Sequence, residues 1–239
     1  MSIGIMQPYF LPYLGYFSLI KNSQEFYLLE DVQFIRHGWI ERNRILKPVE
    51  GWQYFGVPLA SHTRTTKIKD IFVAENQNWR DRILSQLQHY KKRAPYYKQT
   101  ITVLEHAFAE LDNVIKITEI NKILLQYVCS YLGINTPISI FSLAEHPLKD
   151  INEPDDWALQ ICKTLGADSY INPPGGKAFF DEQKYINNGV ELKFLSINLK
   201  PYPQRRGPDN IILGLSIVDV MMFNDIPNIN NMLEDYEFI

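Results

Sequence analysis

The chain has 239 residues, with 24 basic and 27 acidic side chains and a formal net charge of −3, so no broad basic field draws nucleic acid by counterion release. Hydrophobic residues make up 46% and charged residues 21%, ordinary for a globular chain long enough for one large α/β domain or a domain with a helical insert. Cys129 and Cys162 form neither a zinc pattern nor a disulfide framework, which fits a reducing cytoplasm, and the start of the chain reads as a strand, with no apolar run of membrane-spanning length to insert in a bilayer.

Ser2–Met6 reads as the end of a first strand. Pro8 and Pro12 fix φ and remove backbone donors, so neither helix nor ladder runs through them. Gly15 permits a close turn, and Tyr16–Ile20 reads as the first turns of a helix. Strand, stiff loop and helix start make the unit that α/β proteins use to hold phosphate or nucleotide. Tyr9, Phe10, Tyr13 and Tyr16 crowd this loop. They line a cleft, or they are core rings and the prolines merely shape the chain entry.

Glu25–Phe34 is a second strand, with Glu30 and Asp31 towards its C-terminal side. Trp39–Leu46 is expected as a short helix stopped by Pro48, and Trp52–Leu59 as a third strand. The polar stretch 60–69 reads as a mobile lid, and Ile68–Val73 as a short edge strand. Asn78 caps a helix carrying Trp79, Ile83, Leu84, Leu87 and Tyr90, which Pro95 ends. Tyr96–Leu111 is a second helix. Asp112-Asn113 breaks it and caps a third, with Gly133 as its stop. Together these make a helical subdomain over 77–133.

The α/β pattern then resumes with a strand at Pro137–Leu143, a helix from Pro154 through Leu165, a brief strand at Ser169–Asn172 and a tight loop at Pro173–Gly176. A helix at Phe180–Asn187 and a strand at Val190–Ser196 follow. Pro201, Pro203, Gly207 and Pro208 mark a long loop carrying Arg205-Arg206. Ser216 caps a helix through Asn224, and Ile229–Tyr236 adds another. The expected fold is α/β: a single domain over 1–239, with a Rossmann-like, mostly parallel sheet, helices on both faces and a three-helix insertion.

Three loops fall at C-terminal strand edges: Gln7–Tyr16, Asp31–Asn43 and Asn172–Lys177. In one parallel sheet those edges meet around one cleft. Gln7 and Tyr13 are placed to contact substrate. His37 is the candidate general base, oriented by Asp31. Arg42 and Arg44, with Asn43 between them, suit a phosphate or carboxylate clamp. The plainer alternative puts Arg36 and His37 in solvent and makes Glu41 and Arg44 an ordinary helix ion pair.

Gly175 and Gly176 give backbone freedom beside Lys177, which fits an anion or sugar phosphate as readily as a plain turn. Arg205-Arg206 is a second phosphate clamp or, more simply, a solvated loop. Cys162 shares an apolar helix face with Leu159, Ile161 and Leu165 and reads as core. Asp155-Asp156 reads as a charge pair at a helix start, not a metal site. No Walker, GxSxG, HExxH or CxxC motif is present, no metal ligand set emerges, and the cofactor is unknown from these residues.

The segments GIMQPYFLPYLGYFSLI, EDVQFIRHGWIERNRIL, YINPPGGKAFFD, GVELKFLSI and LSIVDVMMFN, in that order across nearly the whole chain, resemble the WbqC-like family. The resemblance implies a bacterial protein encoded among O-antigen or other surface-polysaccharide genes, with a suggested glycine or other aminoacyl transferase role on a sugar. Gln7, Pro8, Asp31, Arg42, Asn43 and Gly176 are the positions that match. The order Pro8, Tyr13, Leu14, Gly15, Tyr16 is also similar to the HIGH signature of nucleotidylyltransferases and class I synthetases, with Tyr13 and Tyr16 where that signature has histidines.

The implied function is a cytoplasmic transferase adding an acyl or aminoacyl (glycyl) group to a nucleotide-linked or otherwise activated sugar. The alternatives are a nucleotidylyltransferase-like enzyme and a non-catalytic partner of a glycan-pathway enzyme. A homodimer is left open.

Overall fold

Short apolar runs between turn residues become the strands of the central sheet. The computed structural model describes residues 1–74, 78–143, 145–149, 151–204 and 210–239. The expectations that fall on Gln77, Arg205, Arg206, Gly207 and Pro208 lie outside the described residues. The sheet contains β1 (Ser2–Met6), β2 (Glu25–Leu29), β5 (Ile138–Phe141), β6 (Ser169–Asn172), β7 (Glu191–Ile197) and β8 (Tyr236–Phe238). Their order is β5-β2-β1-β6-β7-β8. Gly4 lies opposite both Phe26 and Ile171. All pairs are parallel except β7–β8. This is the doubly wound order, and the winding reverses between β1 and β6, where such sheets open a crevice.

Side-chain alternation along the strands feeds two cores. Phe26, Leu28, Ile171 and Leu195 join one, together with Phe17 and Ile20 of α1 (Leu14–Lys21), Leu124 of α4 (Ile117–Leu132), Met221 of α7 (Ile217–Phe223) and Ile229 of α8 (Ile226–Leu233). Ile3, Ile5, Phe141 and Tyr170 join the other, with Leu159 and Cys162 of α5 (Asp156–Leu165) and Tyr185 of α6 (Glu182–Asn187). Helices therefore cover both faces. Each fully buried Phe, Ile or Leu contributes about 1.5–3 kcal/mol relative to exposure.

The expected helix at Trp39–Leu46 is instead a strand, β3 (Arg42–Leu46), paired antiparallel with β4 (Trp52–Gly56) in a separate two-stranded ribbon. Gly51 turns the chain at φ 72°, and the Lys47 amide closes the turn on the Gly51 carbonyl at 3.0 Å. Asn43, Ile45 and Phe55 are buried, a period of two that a helix cannot supply. The stretch Trp52–Leu59 thus does not extend the central sheet. Ile68–Val73 is not an edge strand either: it holds a 3-10 turn at Ile68–Asp70 and single bridges from Val73 to Leu59 and from Phe72 to Lys116.

Between β4 and β5 lie α2 (Trp79–Leu87), a 3-10 turn at Gln88–Lys92, α3 (Tyr97–Ala109) and α4. Asn78 caps α2 as expected, its side chain accepting from the Asp81 amide. The third helix starts later than Asn113, which takes φ 65° in the preceding turn. Asp225 accepts from the Asn228 amide and starts α8 earlier than expected. After α8 comes β8, which the sequence reading did not contain.

Candidate functional site

The loop after β1 is held by its own carbonyls. Tyr16 donates its hydroxyl to the Gln7 carbonyl at 2.8 Å. Asn121 donates to Pro8 at 2.8 Å, Asn43 to Phe10 at 3.1 Å and the Ser216 hydroxyl to Leu11 at 2.6 Å. The Ile217 amide donates to the Pro12 carbonyl at 2.8 Å, and the Phe10 amide to the Trp39 carbonyl at 2.8 Å. Leu11 is buried at φ 38°, a conformation that only firm surroundings sustain in a leucine. The loop is rigid, and Gln7 and Tyr9 stand where it leaves the strand. Among the described residues the Gln7 side-chain amide makes no hydrogen bond.

Gln7 lies in a trough at the C-terminal ends of β1, β2 and β6. One part, about 480 Å³, is lined by Gln7, Leu29, Val32, Asn152, Glu153 and Trp157. A second, about 220 Å³, is lined by Met6, Gln7, Tyr9, Trp157, Tyr170 and Phe180. Gln7, Leu29, Pro154 and Trp157 belong to both. The trough sits at the winding reversal. Rings wall its smaller part, and Gln7, Asn152 and Glu153 bring polar groups to the larger, which suits stacking on a sugar or base with an amide to fix orientation.

Just ahead of α5 the loop amides are engaged by the helix's own first residue. The Asp156 carboxylate already accepts from the amides of Asn152 at 2.8 Å and Glu153 at 2.7 Å. Lys184 pairs with Asp156 and, at 2.9 Å, with Asp155. Hydrogen bonding from Lys184, helped by those amides, pulls the Asp156 carboxyl down to about 2. Burial, and the neighbouring Tyr13 phenol, raise the Tyr9 hydroxyl above its ordinary value, so Tyr9 stays a neutral donor.

The Pro173–Lys177 stretch is a 3-10 turn, Pro174–Phe179, at the end of β6. Gly176 has a steric reason to lack a side chain: a Cβ there would lie 2.3 Å from Asn172 Nδ2. Asn172 in turn accepts from the Tyr170 hydroxyl at 3.0 Å. A Cβ on Gly175 meets nothing within 4 Å. The Lys177 ammonium lies 5.8 Å from the centre of the Phe194 ring, whose other neighbour is Phe180 of the trough.

The remaining expected site residues lie elsewhere. Asp31 is buried, 2.7 Å from Lys69 and 3.5 Å from Lys67, and takes the Leu143 amide at 3.4 Å. Burial alone would raise its carboxyl; Lys69 and the Leu143 amide outweigh it and hold the value below the usual range. His37 is exposed in a left-handed turn at φ 63°, and its carbonyl accepts from Arg42 at 2.9 Å. Among the described residues no hydrogen bond or ion pair joins His37 to Asp31, so the expected dyad is not assembled: the lysines occupy the carboxylate.

Asn43 is buried and works as a strut. Tyr13 bridges Ser216, its ring lying over Gly15 and outside the trough. Arg42 and Arg44 project from the outer face of the ribbon. Stretch 60–69 is pinned, the Phe34 amide bonding Thr66 at 2.9 Å and Gln33 bonding the Arg64 carbonyl at 2.7 Å.

The spatial premise of the three loops is met in part. The first and second touch directly through Phe10 and Trp39 and share the trough through Gln7 and Val32, whereas among the described residues the third contributes no lining residue, only its flanks Tyr170 and Phe180 doing so. Trp157, Tyr170 and Phe180 were missed. A signal for Trp157 existed, because a helix that follows a parallel strand starts at the ligand-binding edge.

A separate hollow of about 520 Å³ lies by Val73, Trp79 and Asn113. Arg80 there is already bonded to Asp112 at 2.9 Å and to the Leu111 carbonyl at 2.6 Å. Among the described residues no three His, Cys, Asp or Glu side chains gather as a metal site, and no helix is long and apolar enough to cross a membrane.

Comparison with known proteins adds the following. An uncharacterized protein of Mycobacterium tuberculosis, Rv1507c, is 26% identical over 225 residues, covering 93% of each chain. No solved structure matches. The model of the WbqC-like protein family matches residues 7–231, and the chain belongs to that family.

Proposed function

We propose that this WbqC-like protein binds a nucleotide-linked or otherwise activated sugar in the trough at the β1–β6 reversal. It acts as a transferase that adds an acyl or aminoacyl (glycyl) group to that sugar for surface polysaccharide such as O-antigen. The observation that carries the reading is the trough itself, walled by rings in its smaller part and with the unengaged Gln7 amide lining both parts. Tyr9, Trp157 and Phe180 stack on the ligand, Gln7 hydrogen-bonds its edge, and Lys177 meets a phosphate at the open end beside Gly175. His37 remains the candidate base, without Asp31, for an acceptor amine or hydroxyl reaching the trough from the exposed turn.

One observation favours a second reading, a non-catalytic sugar-binding partner of a glycan enzyme: among the described residues neither His nor Cys lines the trough. A nucleotidylyltransferase-like role is less well supported. The first turn of α1, where that chemistry would place phosphate, is buried beneath Ser216 and Ile217.

Calorimetric titration with a panel of uridine, thymidine and guanosine diphosphate sugars tests the binding. At least one should bind, and Gln7→Ala and Trp157→Ala should each weaken it about tenfold, about 1.4 kcal/mol. Silence across the whole panel sinks the reading. Mass analysis of the bound sugar after incubation with glycyl-tRNA or acyl-coenzyme A then separates transferase from partner.

A further inference from the structure

We propose that the outer face of the β3–β4 ribbon is a binding surface for an acidic oligosaccharide. Strand alternation puts Arg42, Arg44, Trp52 and Tyr54 on this face, and Trp39 stands beside them. The three rings are unusually open for their size: Trp39 and Trp52 are each 36% exposed and Tyr54 40%. Trp52 and Tyr54 meet edge to face at 4.9 Å.

The arginines are stacked on these rings. The Arg44 guanidinium lies 5.4 Å from the Trp39 ring centre and 5.2 Å from that of Trp52. Arg42 lies 4.0 Å over Tyr54. Stacking fixes the plane of each guanidinium and leaves its N–H edge to meet a ligand.

Those edges are under-used. Arg44 donates only to the Gly214 carbonyl, at 3.1 Å, and has no carboxylate partner among the described residues. Its Nε is buried without an acceptor, and so is that of Arg42. The carboxylate nearest Arg42 is Glu41, at the 4.0 Å limit of an ion pair. A half-buried cation without an anion is incomplete, and an incoming carboxylate would complete it with bidentate geometry. Flat exposed rings beside such a fork match the alternation of an acidic sugar chain: apolar ring faces and, at intervals, a carboxylate.

Single-stranded nucleic acid also stacks on rings, but its affinity rests on a basic field, and the chain carries a net charge of −3. Ile35 and Val49 are exposed nearby, at 59% and 84%, so a lipid surface is a necessary comparison. The proposal does not depend on the trough.

The experiment is calorimetric titration of the full chain with tetragalacturonate, neutral maltotetraose, an oligothymidylate and phosphatidylglycerol vesicles. Tetragalacturonate should bind at least tenfold more tightly than maltotetraose. Arg44→Ala and Trp52→Ala should each weaken it about tenfold, and Arg44→Lys, which keeps charge but loses the fork, should weaken it by less. Trp157→Ala in the trough should leave it intact, so the two sites fail separately. Circular dichroism confirms that each variant is folded, and Arg44→Lys serves if Arg44→Ala is not. Four outcomes would overturn the proposal: no binding of tetragalacturonate, equal binding of maltotetraose, binding undiminished in the arginine variants, or tighter binding of the oligothymidylate or vesicles.

Discussion

Asn121 and Pro8 meet in the core: Asn121 Nδ2 donates to the Pro8 carbonyl at 2.8 Å, and the same nitrogen reaches the Ile40 carbonyl at 2.9 Å. One amide on α4 thereby ties the loop after β1 to the segment that leads into the ribbon. Asn121 is fully buried, so neither carbonyl has water as a substitute.

Asn121→Ala leaves two buried acceptors without donors, at about 1–3 kcal/mol each. The expected loss is about 2–4 kcal/mol in urea unfolding, with weaker ligand binding at Gln7. A loss within about 0.5 kcal/mol, typical of a neutral surface site, would show that the clamp does not hold the loop.

Gly176→Ala should destabilise the protein by about 1–3 kcal/mol, as overpacking does, because the new Cβ meets Asn172 Nδ2. Gly175→Ala, with open space around it, should stay within about 0.5 kcal/mol. Thermal unfolding of the pair checks this, and equal behaviour would contradict the close approach.

Asp156 predicts an acid-sensitive limb. Its carboxyl is held at about 2 in the fold, against an ordinary value of 3.8. The unfolded chain therefore takes the proton more readily. The stabilisation is complete above about pH 4 and is lost as pH falls towards about 2. Asp156→Asn should lower stability at neutral pH yet flatten the decline below about pH 4. Urea midpoints across that range decide it, and an unchanged slope would refute the assignment.

Both thiols should be inert in the native state. Burial pushes Cys129 and Cys162 up to about 12, so neither offers thiolate near neutrality. Ellman's reagent should label neither in the folded protein and both in guanidinium. Fast labelling of the native chain would reopen Cys162 as a nucleophile.

The parallel strands were legible because each is a short apolar run bounded by turn residues, and Asn78, Ser216 and Gly133 marked helix ends by their local chemistry. The ribbon was not legible. In Arg42-Asn43-Arg44-Ile45 the inward face carries a polar Asn43, so polarity hides the period of two; its bonds to the Phe10 carbonyl and from the Arg44 amide satisfy the buried side chain. β8 was hidden for another reason. Three residues carry no period, and their pairing with β7 is decided by tertiary contact. At the site, Gln7 was readable from its place after the first strand. The pairing of Asp31 with Lys67 and Lys69 in place of His37 was not, because both lysines come from a stretch read as a lid.

β8 has a further consequence. Without Tyr236–Phe238, β7 would become the rim of the sheet and offer its unpaired amides and carbonyls to any other chain. A strip only three residues long, running against the grain of its neighbours and carrying the charge of Glu237, ends the sheet there. Small deletions at the C-terminal end should therefore appear as concentration-dependent clumping well before they appear as a failure to fold.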